Sequence, residues 1–127
     1  MAEDRRFYVG QKALIERDGQ VLVLFHEGNV DLPGGKVQDG ELDLVKALQR
    51  EVREETSLEV EVGAPFATRL SSDAAVYMVG YRCRYLSGEV VLSDEHDAYR
   101  WLDAGEYRAL SDASPQFSLL QSYFEAA

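Results

Sequence analysis

Cysteine is almost absent from this sequence, since Cys83 is the only one among 127 residues. A single cysteine cannot close an intramolecular disulfide, which predicts a protein from a reducing compartment. No apolar run approaches the ~18–20 residues that cross a bilayer, and residues 1–6 lack the apolar segment of a secretory signal. These absences predict a cytoplasmic protein without a membrane partner, and residues 1–6 are expected to form a disordered tail.

Positive charge is scarce as well. The 13 Lys and Arg residues face 23 Asp and Glu residues, which leaves a net charge of −10. A surface this acidic repels phosphate backbones, which argues against duplex nucleic acid as a partner. It would also repel a nucleotide substrate unless Lys, Arg or a metal ion supplied local positive charge. The alternative is that the acidity only keeps the protein soluble.

Turn residues divide the chain into short elements, which are predicted to form one domain over residues 1–127. Asp18-Gly19 separates two apolar runs and predicts a β-hairpin, and the second run should be buried on both faces. The predicted strands are residues 8–16, 20–26, 59–62, 75–86 and 98–102, and the predicted helices are residues 42–56, 104–110 and 115–126. Residues 65–70 are ambiguous, and the Gly- and Pro-rich residues 32–40 are predicted as a loop. Hairpins mixed with helices predict an α/β sandwich around a mixed β-sheet.

The predicted helix 42–56 carries an unusual set of carboxylates. Its apolar residues share one arc of the helical wheel and form the predicted core stripe: Leu44, Val45, Leu48 and Val52. Glu51 and Glu55 project at the edge of that stripe or inside it, and Glu54 lies on the flank beside Glu51. At i, i+3 and i+4, the three carboxylates converge on one patch. Clustered carboxylates repel each other and lose solvation beside a core, so the pattern favours a divalent cation among them. The alternative is an ordinary solvated helix face.

The chemistry of these side chains narrows the choice of cation. Oxygen ligands suit Mg²⁺ or Mn²⁺, whereas zinc prefers Cys and His. The two histidines, His26 and His96, do not form a metal-ligand pair in sequence. The sequence therefore predicts a hard cation held by carboxylate oxygens.

The loop and the helix together resemble the Nudix box of the MutT-like Nudix hydrolases. Gly35 begins the motif, Glu41 follows after five residues, and Arg50-Glu51-Val52-Arg53-Glu54-Glu55 forms its second half. Two departures stand out. Eight residues, 42–49, separate Glu41 from Arg50 where the family has seven, and the helix N-terminus is expected to absorb the extra residue. Ser57 replaces a glycine that would permit a left-handed helix cap, which predicts a small stability cost and no catalytic loss.

The resemblance implies an α/β/α sandwich that works as a Mg²⁺-dependent hydrolase, with Mn²⁺ as a substitute. It implies metal binding by the Gly35 backbone oxygen and by Glu51, Glu54 and Glu55. Arg50 would hold the glutamates, and Glu41 would be a secondary ligand or support. Water would attack phosphorus, and either Glu51 or Glu95 would take its proton. The alternative for Glu95 is an ordinary solvated acidic turn.

The substrate implied by the resemblance is a nucleoside diphosphate linked to another moiety, such as a nucleoside triphosphate, ADP-ribose or a nucleotide sugar. No residue selects among these, and a homodimer is expected only because many relatives resemble dimers. The alternative function is a Nudix-fold domain that binds a nucleotide, or regulates, without cleaving. Against that alternative, the second half of the motif from Arg50 to Glu55 is intact.

Overall fold

The computed structural model describes residues 3–112 and 114–125. Its strands are β1 (Tyr8–Arg17), β2 (Gln20–His26), β3 (Asn29–Asp31), β4 (Gly34–Lys36), β5 (Glu59–Ser71), β6 (Val76–Ser87) and β7 (Ala98–Leu102). Its helices are α1 (Leu44–Thr56), α2 (Ala104–Arg108) and α3 (Pro115–Phe124). The predicted end of the last helix at Ala126 lies outside the described residues. The predicted hairpin is confirmed, because Asp18 and Gly19 connect β1 to β2.

The seven strands form one mixed sheet in the order β3-β2-β1-β6-β5, with β4 on β1 and β7 on β2. β1 is its hub. It pairs in parallel with β6 along Tyr8 to Glu16 and antiparallel with β4 along Gly10 to Lys12. Its last residues pair antiparallel with β2. The mixed sheet predicted from the hairpins is therefore confirmed.

Successive residues of β1 point to opposite faces of the sheet, and each face is covered by helices. Ala13 and Ile15 belong to the apolar cluster that includes Leu48 of α1. Leu14, which lies between them, belongs to the cluster that includes Tyr107 of α2 and Leu119 of α3. Among the described residues, α1 covers one face and α2 and α3 cover the other, so the architecture is the predicted α/β/α sandwich.

The loop prediction is wrong for residues 34–36, and the structure assigns the ambiguous residues 65–70 to a strand. Residues 34–36 were predicted as loop but form β4, because β1 offers backbone partners that glycine can approach closely. Residues 65–70 belong to the same strand as residues 59–62. The pairing with β6 shifts register between Val62 and Pro65 and again between Pro65 and Ala67, as expected where proline interrupts a ladder.

The helix α1 begins two residues later than predicted. Asp43 caps it, and its Oδ1 accepts a hydrogen bond from the Lys46 backbone N–H at 3.1 Å. Leu44 and Val45 were predicted to lie in the core, but they are 38% and 47% exposed. That prediction was wrong because a helical wheel gives only the direction in which a side chain points around the helix axis. It does not show at which turn the helix first contacts the sheet. The buried residues of α1 start one turn later: Ala47, Leu48, Val52, Glu55 and Thr56.

The remaining sequence predictions concern the chain's first residues and the membrane. Arg5 donates hydrogen bonds to Oγ and to the backbone oxygen of Ser72, at 3.0 and 2.6 Å. A disordered tail over residues 1–6 stays a prediction. Within the described ranges, none of the helices has the length and apolar character needed to cross a bilayer.

Candidate active site

The Arg50 guanidinium gathers three carboxylates at the solvent edge of α1. It donates to Glu54 at 2.9 Å, to Glu41 at 3.1 Å and to Glu51 at 3.2 Å. The hydrogen bonds to Glu54 and Glu41, together with the charges of Glu54 and Glu51, raise the pKa of Arg50 above its usual value, although burial opposes the rise. Arg50 therefore stays charged and fixes the neighbouring acids. The contact with Glu41 also shows that the extra residue in the spacer does not separate Glu41 from Arg50.

The strand β4 packs against the carboxylates of Glu51 and Glu55. The Gly34 backbone N–H donates to Oε2 of Glu55 at 3.0 Å. A side chain on Gly35 would place its Cβ 2.8 Å from Oε2 of Glu51. The missing side chain of Gly35 therefore lets the strand approach Glu51, whereas a side chain on Gly34 would meet the backbone of Gln11 in β1. Burial raises the pKa of Glu51, and nearby Glu54 and Glu41 add to this effect while Arg50 opposes it.

Glu55 is the most enclosed acid of the helix, with only 5% of its surface exposed. Burial, offset in part by the Gly34 N–H and by Lys12, raises the pKa of Glu55 to about 8, and the adjacent carboxyl of Glu95 adds to the rise. Carboxyls this close disfavour double ionisation unless a cation neutralises them. A cation beside Glu55 would therefore stabilise its ionised form.

The segment after β6 brings two more side chains to Glu55. The Ser93 N–H donates to the backbone oxygen of Glu55 at 3.3 Å, and the Asp97 N–H donates to that of Phe25 at 3.0 Å. Between these anchors lie Glu95 and His96. One ligand atom each from Glu55, Glu95 and His96 lies within 4.8 Å of the others.

His96 belongs to a polar chain that runs beneath the site. Its Nε2 lies 2.8 Å from Oδ2 of Asp31, and the other oxygen of Asp31 accepts from Lys12 Nζ at 3.0 Å. Sequence reasoning missed His96 as a member of the site, because its partners are far away in sequence. The available signal was its position directly after Glu95.

The donor set fits a divalent cation. Glu51, Glu55 and Glu95 supply carboxylate oxygens, which hard dications prefer, and the missing side chain of Gly35 leaves backbone accessible beside them. Glu54 lies on the exposed flank, with 56% of its side chain accessible, and is tied to the group through Arg50. The structure thus brings together the residues that the sequence singled out. The role of each residue belongs to the proposal below.

A cavity of about 310 Å³ opens beside β4. Its lining includes the two lysines of this region, apolar side chains of β6 and one amide: Lys12, Lys36, Val76, Met78 and Gln116. Gly35 also lines it, and the same glycine lies against the Glu51 carboxylate. The lysines provide local positive charge on a chain of net charge −10, as the sequence analysis required for a nucleotide.

The sequence model of the NUDIX domain matches residues 7–123, and the chain therefore belongs to the NUDIX family. The family predicted from the sequence is thereby confirmed. No protein of curated function matches the sequence.

Solved structures agree with this family assignment. A NUDIX hydrolase from Nitrosomonas europaea has a TM-score of 0.81 at 20% identity, over 97% of this chain and 73% of that one. A MutT protein from Methanosarcina mazei Go1 has a TM-score of 0.78 at 25% identity, over 98% and 96%. An ADP-ribose pyrophosphatase from Streptococcus suis has a TM-score of 0.74 at 22% identity, over 94% and 92%.

Proposed function

We propose that this chain is a Mg²⁺-dependent hydrolase that cleaves the pyrophosphate bond of a nucleoside diphosphate linked to another moiety. One observation carries the proposal: the carboxylates of Glu51 and Glu55 pack against the bare backbone of β4, at the border of a cavity that contains Lys12 and Lys36. Gly35 connects the two sets of side chains, because it lies against Glu51 and also lines the cavity with the lysines. The acids would hold a cation and the lysines would hold phosphates.

In this proposal Glu51, Glu54 and Glu55, with the backbone oxygen of Gly35, hold Mg²⁺. When bound, the ion would neutralise the bridging phosphate oxygens and lower the pKa of an attacking water. Arg50 orients Glu51 and Glu54 through the hydrogen bonds described above, which fixes the ligands before substrate arrives. The barrier would fall mainly through positioning and charge stabilisation.

Lys12 and Lys36 serve the substrate in different ways. Lys12 is held by Asp31 and by the backbone oxygen of Leu32, so it presents a fixed charge to the cavity. Lys36 Nζ lies 4.7 Å above the ring centroid of the exposed Tyr8, so it can turn toward a phosphate at little cost. The apolar wall of Val76 and Met78 suits the organic part of the substrate.

The proton of the attacking water has two candidate acceptors, Glu51 and Glu95. Both lie in the same group of carboxylates, and both candidacies are retained. The pH dependence of kcat in Glu51→Gln and Glu95→Gln distinguishes them, because loss of the true acceptor removes the acidic limb of the profile, where protonation of that carboxylate lowers the rate.

The substrate class is tested by chromatographic detection of the nucleoside monophosphate released from nucleoside triphosphates, ADP-ribose and nucleotide sugars, each with Mg²⁺, with Mn²⁺ and with a chelator. Cleavage that requires the metal supports the proposal and names the substrate. A folded protein that turns over none of these compounds but binds one of them would favour the alternative, a nucleotide-binding or regulatory Nudix-fold domain. The small-molecule substrate, the cytoplasmic location and the homodimer stay predictions.

A further inference from the structure

Lys12 is held at two points in the wall of the cavity beside β4. Its Nζ donates to Oδ1 of Asp31 at 3.0 Å and to the backbone oxygen of Leu32 at 3.2 Å. Only 12% of the lysine side chain is exposed. Among the described residues these two oxygens are the acceptors of the ammonium group, which has three N–H donors. One N–H of Lys12 therefore remains for a ligand in the cavity.

Asp31 is itself fixed by two further contacts. Its Oδ1 also accepts from the Leu32 N–H at 2.7 Å, and its Oδ2 lies 2.8 Å from Nε2 of His96. Burial raises the pKa of Asp31, but the charge of Lys12 and the hydrogen bonds outweigh burial and lower that pKa below its ordinary value. Asp31 is therefore an ionised acceptor, and Nε2 of His96 is the donor. His96 has only 3% of its side chain exposed, which limits its movement and that of Asp31.

Lys36 shows what Lys12 would be without such an anchor. Its Nζ lies 4.7 Å from the ring centroid of Tyr8, a residue that is itself 60% exposed. A mobile lysine loses rotamer freedom when it contacts a phosphate, and this loss opposes binding. Lys12 is already ordered by Asp31, so its contact with a phosphate does not carry the same entropic penalty.

The negative charge of Asp31 acts in the opposite direction, because it offsets the charge of Lys12 and repels a phosphate. The two effects predict opposite results when Asp31 is replaced. Loss of the charge alone would strengthen phosphate binding, whereas loss of the anchor would weaken it. The contacts with Leu32 and His96 favour the anchor, because they hold the carboxylate in one position before any ligand arrives.

We propose that Asp31 is a positioning residue for the substrate: it holds the Lys12 ammonium at the cavity wall, where Lys12 donates to a phosphate oxygen, and His96 holds Asp31. The inference rests on the proposed function for the class of ligand, a nucleoside diphosphate linked to another moiety. Asp31 acts through Lys12 and does not touch the reacting atoms. It should therefore affect binding more than the chemical step.

The test is the affinity for α,β-methylene-ADP, which cannot be hydrolysed between its two phosphorus atoms, measured by calorimetry with Mg²⁺. Lys12→Gln should weaken binding by about 10-fold or more, because a hydrogen bond from a charged group is lost. Asp31→Ala should weaken it by about 5-fold, and Asp31→Asn, which keeps an acceptor oxygen for Lys12, should weaken it less. Lys46→Gln is the matched control, since Lys46 is exposed on α1 and lies outside the cavity.

A double-mutant cycle separates positioning from a general effect on the fold. In the Lys12→Gln background, Asp31→Ala should change the affinity by less than about 2-fold, because the lysine that it positions is gone. Asp112→Ala is the control for a disturbance of β3, since Asp112 accepts from the Val30 N–H of that strand at 2.9 Å. It should bind the analogue as the parent does. With a cleaved substrate, Asp31→Ala should raise KM more than it lowers kcat.

Tighter binding by Asp31→Ala and Asp31→Asn would overturn the inference, because Asp31 would then act through its charge alone. An effect of Asp31→Ala that persists undiminished in the Lys12→Gln background would overturn it as well. If Asp31→Ala fails to fold, the sign of the effect of Asp31→Asn decides the question.

The proposed function fails by a different result. A parent chain that binds the analogue with the expected loss in Lys12→Gln, but hydrolyses no substrate, refutes the function and leaves the inference standing. Metal-dependent hydrolysis by the parent, with full affinity retained in Lys12→Gln, refutes the inference alone.

Discussion

Gly35 lies so close to the Glu51 carboxylate that a side chain at position 35 would collide with it. A Cβ at Gly35 would lie 2.8 Å from Oε2 of Glu51 and 3.0 Å from its Oε1. The atoms in conflict are the end of a flexible side chain and not backbone. An added methyl group would therefore displace the carboxylate and leave the strand pairing of Gly35 with Gln11 intact. The relationship separates damage to the site from damage to the fold.

We expect Gly35→Ala to lower kcat by about 10²-fold, because a displacement of about 1 Å in a catalytic group costs that much. The thermal unfolding temperature should change little. Gly105→Ala is the control, because Gly105 lies in α2 and not beside the candidate site. Its added Cβ would lie 3.4 Å from the Asp103 carboxylate, which is an ordinary contact distance. A Gly35→Ala enzyme with unchanged turnover would show that the position of the Glu51 carboxylate does not limit the reaction.

Glu54→Gln tests the proposed metal ligand whose replacement should disturb folding least. Its side chain is 56% exposed, and glutamine keeps an oxygen that can accept from Arg50, so stability should stay within about 0.5 kcal/mol of the parent. Turnover should fall by about 10²-fold or more, because a charged ligand is lost. Glu59→Gln is the matched control, as Glu59 is similarly exposed and pairs with Arg53 at 3.3 Å. Equal activity of the two variants would remove Glu54 from the proposed ligand set.

Ser57 ends α1 in the left-handed region, with φ of 65° and ψ of 12°, and its N–H donates to the backbone oxygen of Arg53 at 2.9 Å. Glycine reaches this conformation without steric cost, so Ser57→Gly should raise the free energy of unfolding by about 0.5–1 kcal/mol. Denaturant titration measures the change, and Ser57→Ala, which keeps the Cβ, should bring no such gain. The prediction fails if glycine and alanine have the same effect.

Cys83 should be chemically silent in the native protein. Its side chain lies in the core on the α1 side of the sheet, and burial raises the pKa of Cys83 to about 12. Thiolate, the reactive form, is therefore scarce at pH 8, and a disulfide reagent should react only after denaturation. Ser87→Cys, at the exposed end of the same strand, provides a reactive control. Rapid labelling of the native parent chain at pH 8 would refute the prediction.

The same shift has a consequence for stability. Because burial raises the pKa of Cys83 in the folded chain above the ordinary thiol value of 9.0, the unfolded chain loses the thiol proton first as pH rises. The contribution of this group to stability is complete below about pH 9 and is lost between pH 9 and 12. Cys83→Ser should flatten the pH dependence in that window, which thermal unfolding at several pH values would measure.

The sequence predicts the helix side of the site well, because the spacing of Glu51, Glu54 and Glu55 fixes their relative directions once α1 is accepted. Glu55 is buried and Glu54 exposed, as the wheel implies. The same wheel fails for Leu44 and Val45. Their burial depends on where the helix meets the sheet, which is a property of tertiary packing and not of periodicity.

The strand side of the site could not be predicted in the same way. Gly34 and Gly35 have no side chains to show an alternating pattern, so β4 becomes visible only through its pairing with β1. His96 reads as an isolated histidine because Asp31, its partner, lies 65 positions earlier in the chain. Contacts of this kind leave no local periodicity, and only the fold reveals them.

The position of β1 in the middle of the sheet affects how the chain folds during its synthesis on the ribosome. Tyr8 is paired with Val76, so this strand waits through the synthesis of most of the chain before its long parallel partner exists. Glu95 and His96 emerge later still. Pairings between such distant segments form slowly and leave strand edges open in the meantime. The nascent chain must therefore protect the β1 edge until β6 has left the exit tunnel, and a fragment that stops before β6 would expose that edge to aggregation.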